Sequence, residues 1–409
     1  TMSVTADKLY EAYGRLDRQL KDRDYEVAAQ TAKSILAVKG DELEAQQAQC
    51  YALAQLAQYG QLLEALSTAT QLPKDQVIFQ KAYCLYRLQR HAEALKLIAG
   101  VPQPSQTLRH LEAQAYFRLE DAKCAQIYEK MFEENKDSST EVLVNLMASL
   151  TRTNRGEAAR TLVAQHKSAL NDSYDLVYNS ACALIEGNDL ESAESQLRTA
   201  ERQCREANEA QNASTDDLNA ELAPILTQLA YVRQRRGDDA TAAQLYEKVL
   251  DMDVSDQAVV AVCNNNLVAL RGREGGAPAL SRLANLTKTQ VQDKLSNTQK
   301  RIIQFNRCII LLQLGKYDDL QKLVKTLDPA SEFTVLIQSA TLIKKGQTNK
   351  AIETLREFIR SNTREGASSS ASTSAIRAQL SLAQLQMSQG NVKEAIGLLK
   401  SITSLQYEP

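Results

Sequence analysis

A tight turn, followed by a helix-forming segment with a small residue near its start, recurs along this chain at a mean step of about 37 residues. In its clearest copy, RGDDATAAQLYEKVLDMDV (236–254), Gly237 and Asp238 precede Ala242, Tyr246 follows four residues later, and Val249 and Leu250 come after it. Relatives stand at Gly60 to Ala65, Gln89 to Ala94, Asn188 to Ala193, Gly315 to Leu320, Gly346 to Ala351 and Gly390 to Ala395. Weaker copies lie near Ala28, Cys124, Ala159 and Ala279. A unit of this size cannot bury its own apolar face, so the pattern demands stacked neighbours.

Composition agrees. Only 15 Gly and 7 Pro in 409 residues argue against the many turns of a β sandwich or barrel and for helices. The spacing is that of tetratricopeptide units, each two antiparallel helices of about 14 residues with small residues where they cross. In the unit from Tyr174, Ala181 on the first helix answers Ala193 on the second, and Val177, Leu184, Leu197 and Ala200 supply the apolar stripe. The unit from Ala223 repeats this with Leu226, Leu229, Ala230, Ala242, Tyr246, Val249 and Leu250. The expected fold is all-α, a single right-handed superhelical solenoid of about eleven helix pairs.

The expected layout has N-terminal units over 1–205 forming a partner-binding groove, an acidic insert over 206–220, further units over 221–360, a Ser-rich loop over 361–374 and a last unit over 375–409. Both inserts, EANEAQNASTDD (206–217) and SNTREGASSSASTS (361–374), read as loops. A divergent, lengthened unit is expected near 256–290, where Asn264, Asn265 and Asn266 precede GREGGAP (272–278). The final Tyr407-Glu408-Pro409 lacks a polar capping helix, so a truncated fragment is expected, and Thr1 ahead of Met2 reads as a cloning remnant.

The charge is balanced, with 48 basic and 50 acidic side chains, so no whole-chain field draws nucleic acid or an anionic membrane. No apolar run approaches the roughly 20 residues of a membrane span, and the N-terminus has no signal-peptide pattern. Seven isolated cysteines with no CxxC pair suit reduced, intracellular packing residues rather than a disulfide framework or zinc site. No cofactor or metal is expected, since His91, His110 and His166 fall in different repeats at no ligand spacing. Gly272 to Gly276 lacks the strand and GK[ST] ending of a phosphate loop, and the Asn171, Asn212 and Asn285 sequons read as chance matches. No nucleophile, base and orienting group can be placed together, so an enzyme is not expected.

The informative residues are aromatic. FQKAYCLYRLQR (79–90) places Phe79, Tyr83 and Tyr86 at i, i+4 and i+7 of a first helix, with Arg87 beside them. Later first helices add Tyr116 and Phe117 with Arg118, then Tyr178 with Asn179. Tyr and Arg on one surface suit a peptide hot spot, although such rings also pack between repeats. Phe79 and Tyr83 hold the places where carboxylate-clamp domains carry Asn and Lys, which argues against a chaperone C-terminal tail. Basic residues Arg233, Arg235, Arg236, Lys300 and Arg301, with Lys344 and Lys345, form weaker candidate RNA contacts that more simply solvate helix faces.

Some segments exceed the generic repeat. FQKAYCLYRLQRHAEALKLI (79–98) and VYNSACALIEGNDLESAESQLRTAERQCR (177–205) resemble the family of seventy-two-kilodalton subunits of the eukaryotic signal recognition particle. The opening Asp24-Tyr25 turn, ELAPILTQLAYVRQRRGDDATAAQLYEKVL (221–250), AVCNNNLVAL (261–270), QFNRCIILL (304–312) and AQLSLAQLQMSQGNVKEA (378–395) agree in order.

That resemblance implies a cytoplasmic, non-enzymatic scaffold whose repeat groove holds a C-terminal segment of the sixty-eight-kilodalton subunit. It also implies an indirect link to the ribosome, co-translational targeting to the endoplasmic reticulum and no membrane insertion. Binding of 7S RNA is implied only through a lysine-rich region after the repeats, which this sequence lacks. A generic adaptor or cochaperone, and a repeat protein gripping RNA directly through its basic patches, are the alternatives at this point.

Overall fold

The computed structural model describes residues 2–134, 140–171, 173–272, 276–363 and 369–402. Among them stand 23 α-helices, one 3-10 segment (Lys167–Asn171) and no strand, in two compact units that part at Ser214 and Thr215. The sequence suggested one unbroken array; the division falls inside the acidic insert.

The first unit contains six helix pairs: α1 (Met2–Lys21) with α2 (Tyr25–Val38), α3 (Leu43–Gln55) with α4 (Tyr59–Thr68), α5 (Lys74–Arg87) with α6 (His91–Ile98), α7 (Gln106–Arg118) with α8 (Lys123–Glu134), α9 (Thr140–Arg152) with α10 (Gly156–Gln165), and α11 (Tyr174–Glu186) with α12 (Leu190–Ala210). Five pairs make the second: α13 (Thr215–Arg235) with α14 (Asp239–Asp251), α15 (Gln257–Arg271) with α16 (Gly276–Asn285), α18 (Asn297–Gln313) with α19 (Tyr317–Val324), α20 (Glu332–Lys344) with α21 (Thr348–Asn362), and α22 (Ser369–Ser388) with α23 (Val392–Lys400). The short α17 (Thr289–Gln292) is extra, between the second and third of these pairs. The first helix of each pair is called A below and the second B.

The recurring small residue explains why B helices seat closely. Ala28, Ala94, Ala159, Ala193, Ala242 and Ala351 are wholly buried on their B helices, and Cys124 takes the place with no exposure. Ala65 is the departure, being half-buried. Larger side chains fill between helices: Leu197, Tyr128 and Tyr246 are at most 1% exposed, and burying such a chain is worth about 1.5–3 kcal/mol.

Wherever both residues are described, each pair closes the same way: a residue with left-handed φ ends helix A, and the next amide bonds back five residues. The amide of Asp24 donates to the Gln19 carbonyl at 2.9 Å, Arg90 to Leu85 at 2.8 Å, Asp238 to Arg233 at 3.0 Å and Gln347 to Leu342 at 2.8 Å. This Schellman closure satisfies carbonyls that the helix end would orphan. In the first unit the left-handed residues are Arg23, Ala57, Gln89, Glu120, Asn154 and Asn188; in the second they are Gly237, Gly272, Gly315, Gly346 and Gly390. Gly60, read from sequence as a turn, lies inside α4, and Ala57 is the turning residue.

Both stretches read as loops are largely helical where described. Residues 206–210 continue α12, because Cys204 and Asn208 keep a buried stripe and Arg202 pairs with Glu206 one turn on at 2.9 Å. Asp216 and Asp217 then sit in the first turn of α13, where carboxylates complement the helix dipole. In the Ser-rich stretch, α21 runs to Asn362 and α22 begins at Ser369, with Ala375, Ala378 and Leu382 carrying a buried stripe at helical spacing. Residues 364–368 of that stretch, Arg273 to Gly275 of the glycine-rich turn, Asp172 of one sequon and the closing Tyr407-Glu408-Pro409 lie outside the described residues.

The Asn run contributes more than a poor fit to the repeat. The Asn306 side-chain amide donates to Asn265 Oδ1 at 2.9 Å, Asn265 to Asn266 Oδ1 at 3.1 Å, Asn266 to the Tyr246 hydroxyl at 2.9 Å, and that hydroxyl to Gln234 Oε1 at 3.0 Å. This relay joins α13, α14, α15 and α18 through the interior, where unbonded polar groups would cost free energy.

No helix among the described residues is long and apolar enough to cross a membrane. All seven cysteines are free, six of them buried, and burial pushes the Cys50, Cys84, Cys263 and Cys308 thiols up to about 11.

Candidate functional site

The aromatic residues of α5 divide between two neighbours rather than presenting one row. Phe79 and Tyr83 stack one turn apart, ring centroids 6.3 Å apart, and Tyr59 at the start of α4 meets Tyr83 edge-on at 5.9 Å. Arg87 completes this group: Nη1 donates to the Tyr83 hydroxyl at 2.7 Å, and the guanidinium carbon stands 4.5 Å from the Tyr59 ring centre. Tyr59 opens a B helix and so stands outside the A-helix spacing that marks groove residues in the sequence.

Tyr86 turns the other way, packing on His91 at 5.2 Å. Burial raises the Tyr86 phenol pKa, and the nearby Arg118 and Arg87 guanidiniums pull it back. Arg118 reaches Gln89 Oε1 at 3.3 Å, tying α7 to the α5–α6 turn. Tyr116 lies under the Lys123 ammonium at 5.1 Å.

Further along, Arg152 of α9 sits over Phe117 at 5.1 Å and pairs with Glu120 at 3.8 Å. Its burial lowers the guanidinium pKa, Glu120 opposes that, and the charges of Arg118 and Tyr178 are also felt there. Arg152 therefore ties α9 to Phe117 and Glu120 at the end of α7. It ends its A helix two residues before the turn residue Asn154, as Arg87 does before Gln89 and Arg118 before Glu120, so the repeat period itself marks it. Asn179 is engaged structurally: its amide donates to the Val144 carbonyl at 3.1 Å and ties α11 to α9.

The A helices of the first unit thus carry Phe79, Tyr83 and Arg87, then Tyr86 and Arg118, then Arg152, with Tyr178 on the next A helix. This strip offers half-buried rings and guanidiniums, which suit apolar and carboxylate groups of a peptide. No general acid, base and nucleophile meet on it. Among the described residues no group of three His, Cys, Asp or Glu could hold a metal ion.

The basic candidates are dispersed in the second unit. Arg233 pairs with Asp238 at 3.2 Å, and Arg235 donates to the Tyr231 hydroxyl at 3.2 Å while lying 5.8 Å from that ring. Arg301 Nη2 reaches Thr298 Oγ1 at 3.2 Å, and Lys345 stands over Tyr317 at 5.7 Å. Lys300 is half-buried, and Arg236 and Lys344 are exposed. Arg233 and Arg235 thus serve their own repeat.

Helix pairs with a buried small residue on most B helices and Schellman turns between helices define the class: tetratricopeptide-type helical repeats. Along 97% of its length the chain is homologous, at 30% identity, to signal recognition particle subunit SRP72 of Canis lupus familiaris and of Homo sapiens, of which it spans 58%. Over 98% of its length it is 27% identical to the Dictyostelium discoideum subunit of the same name, spanning 61% of it. The chain thus resembles the seventy-two-kilodalton signal recognition particle subunits throughout the stretch it covers, while extending over less than two thirds of their length. No protein-family model matches it. Among solved structures, the anaphase-promoting-complex hetero-tetramer Cut9–Hcn1 aligns at TM-score 0.48 and 17% identity over all of this chain and 75% of that one. Yeast Tom70 aligns at TM-score 0.41 and 12% identity, over 98% and 93%. Likeness at that level adds nothing to the helix pairing seen directly.

Proposed function

We propose that this chain is a non-enzymatic protein-binding scaffold of the signal recognition particle. Its first unit receives a C-terminal segment of the sixty-eight-kilodalton subunit, in the cytoplasm, in support of co-translational targeting to the endoplasmic reticulum. The observation that carries the reading is the set of rings and guanidiniums that runs from Tyr59, Phe79, Tyr83 and Arg87 through Tyr86 and Arg118 to Arg152, with Tyr178 on the following A helix. Rings held by neighbouring guanidiniums lose little side-chain freedom on binding, so burial against a partner is not offset by ordering. The likeness to the signal recognition particle subunits supplies the partner. RNA contact belongs to the intact subunit in this reading, because Arg233 and Arg235 are engaged within their own repeat.

The test is calorimetric titration of the sixty-eight-kilodalton subunit's C-terminal segment into this chain and into a Tyr86→Ala, Arg87→Ala variant. A loss of about 2 kcal/mol or more is expected. Undiminished affinity in a variant with an intact helical circular-dichroism spectrum would remove the strip from the interface.

A further inference from the structure

Three clefts occupy the same place in three different repeats, each between two successive B helices and floored by the intervening A helix. One lies between α2 and α4 over α3, about 760 Å³; one between α16 and α19 over α18, about 550 Å³; one between α21 and α23 over α22, about 710 Å³. Their lining differs sharply in charge. The first offers Lys33 against Glu26 and Glu64, and the third Arg356 and Arg360 against Glu353, Glu357 and Glu394. The middle one offers Arg307, Lys316 and Lys322 against Asp319 alone.

The substitutions fall at matched positions. Arg307 stands eight residues before its left-handed turn residue, where the first cleft has Gln49, and Lys316 is the N-cap of its B helix, where the others have Gln58 and Asn391. Arg307 is half-buried, and its Nε is shut from solvent with no hydrogen-bond acceptor. A buried guanidinium N–H left without an acceptor is costly, and a ligand carboxylate would relieve it. The carboxylate of Asp319 is turned to Lys322 at 3.7 Å, an exposed pair too weak to hold that lysine away from a ligand. Leu280, Leu311 and Leu323 give the same cleft an apolar wall.

We propose that the cleft between α16, α18 and α19 is a docking site for an acidic peptide segment, its carboxylates on Arg307, Lys316 and Lys322 and an aliphatic side chain against Leu280, Leu311 and Leu323. Charge complementarity selects the acid, and the leucines select a peptide over an inorganic anion. Single-stranded nucleic acid needs aromatic platforms between the cations, and no aromatic residue lines this cleft. The site is in the second unit, apart from the strip assigned to the partner above, and stands whether or not that assignment holds.

The experiment is fluorescence anisotropy on the whole chain with a labelled Glu-Leu-Glu-Asp-Leu-Glu peptide, the same peptide with Ser for Leu, and a six-nucleotide oligouridylate. The Leu-containing peptide is expected to bind, to weaken with added salt, and to lose about tenfold in affinity on Lys322→Glu or on Arg307→Gln. Lys322 is exposed, so its variant tests the site even if Arg307→Gln disturbs folding. Absence of binding, equal binding of the Ser peptide or oligouridylate, or unchanged affinity in the Lys322→Glu variant would each overturn the proposal.

Discussion

Tyr128 in the first unit and Tyr246 in the second are the same repeat position, each four residues past the small residue of its B helix, and each at most 1% exposed. Their hydroxyls differ. Tyr246 accepts from Asn266 and donates to Gln234, whereas the Tyr128 hydroxyl is buried with no hydrogen-bond partner. The turns inside the helix pairs differ in parallel: in the first unit they bend at six residues that carry a Cβ, in the second at five glycines. One architecture has thus been completed in two ways. The first unit tolerates local strain and an unmet hydroxyl because packing over-determines its geometry, while the second satisfies both locally.

The largest expected effect treats the two units alike. Cys50 and Cys84 in one and Cys263 and Cys308 in the other have thiols raised by burial from 9.0 to about 11. A raised folded pKa gives stability that is complete below pH 9 and disappears as pH climbs toward 11. Melting temperature should therefore fall over that range, and Cys→Ser variants that leave the alkaline fall unaltered would refute the thiol origin.

Next comes the tyrosine pair. Tyr246→Phe strands the Asn266 amide and Gln234 oxygen and is expected to cost about 2 kcal/mol, whereas Tyr128→Phe strands nothing and should change stability by less than about 0.5 kcal/mol. Equal losses in urea melts would erase the distinction drawn between the units. Smaller still is the backbone contrast. A Cβ at Gly237 meets no atom within 4 Å, so Gly237→Ala isolates the left-handed penalty, about 1 kcal/mol. Ala57→Gly, the reverse change in the first unit, should raise stability by about 0.5 kcal/mol, and a loss there would mean the bend is unstrained. Smallest is Arg155→Ala, which removes a 2.8 Å ion pair with Glu129 between neighbouring repeats of the first unit. Both side chains remain partly open to solvent, so no more than about 0.5 kcal/mol is expected, fading with salt.

The positions of the buried small residues made the helix pairs and their number legible in the sequence. Turns were legible where a glycine or the repeat's own phase signals them, as at Gly237, Gln89 and Asn188; Ala57 and Glu120 are ordinary helix residues bent by what surrounds them, and Gly60 drew attention to the wrong residue. The inserts misled because polarity was taken for irregularity, although Cys204 and Asn208 continue a helical stripe. In the candidate strip, the α5 residues were visible from their spacing. Arg152 repeats the helix-ending place of Arg87 and Arg118 and was legible from the period, whereas Tyr59 was not, since it joins by ring and cation–π contacts from a B helix. The Asn run was likewise read as a poor fit, because single-residue patterns cannot show that five side chains find one another.

That relay has a consequence for assembly. Stacked repeats resemble one another, so an apolar A helix could dock against several B helices at similar gain, and a growing stack risks pairing out of order. The relay from Asn306 through Asn265 and Asn266 to Tyr246 and Gln234 works as an address: only the native sequence of neighbours presents donor to acceptor at every step. A misplaced neighbour would bury those amides unmet, so the middle of the second unit proofreads its own order.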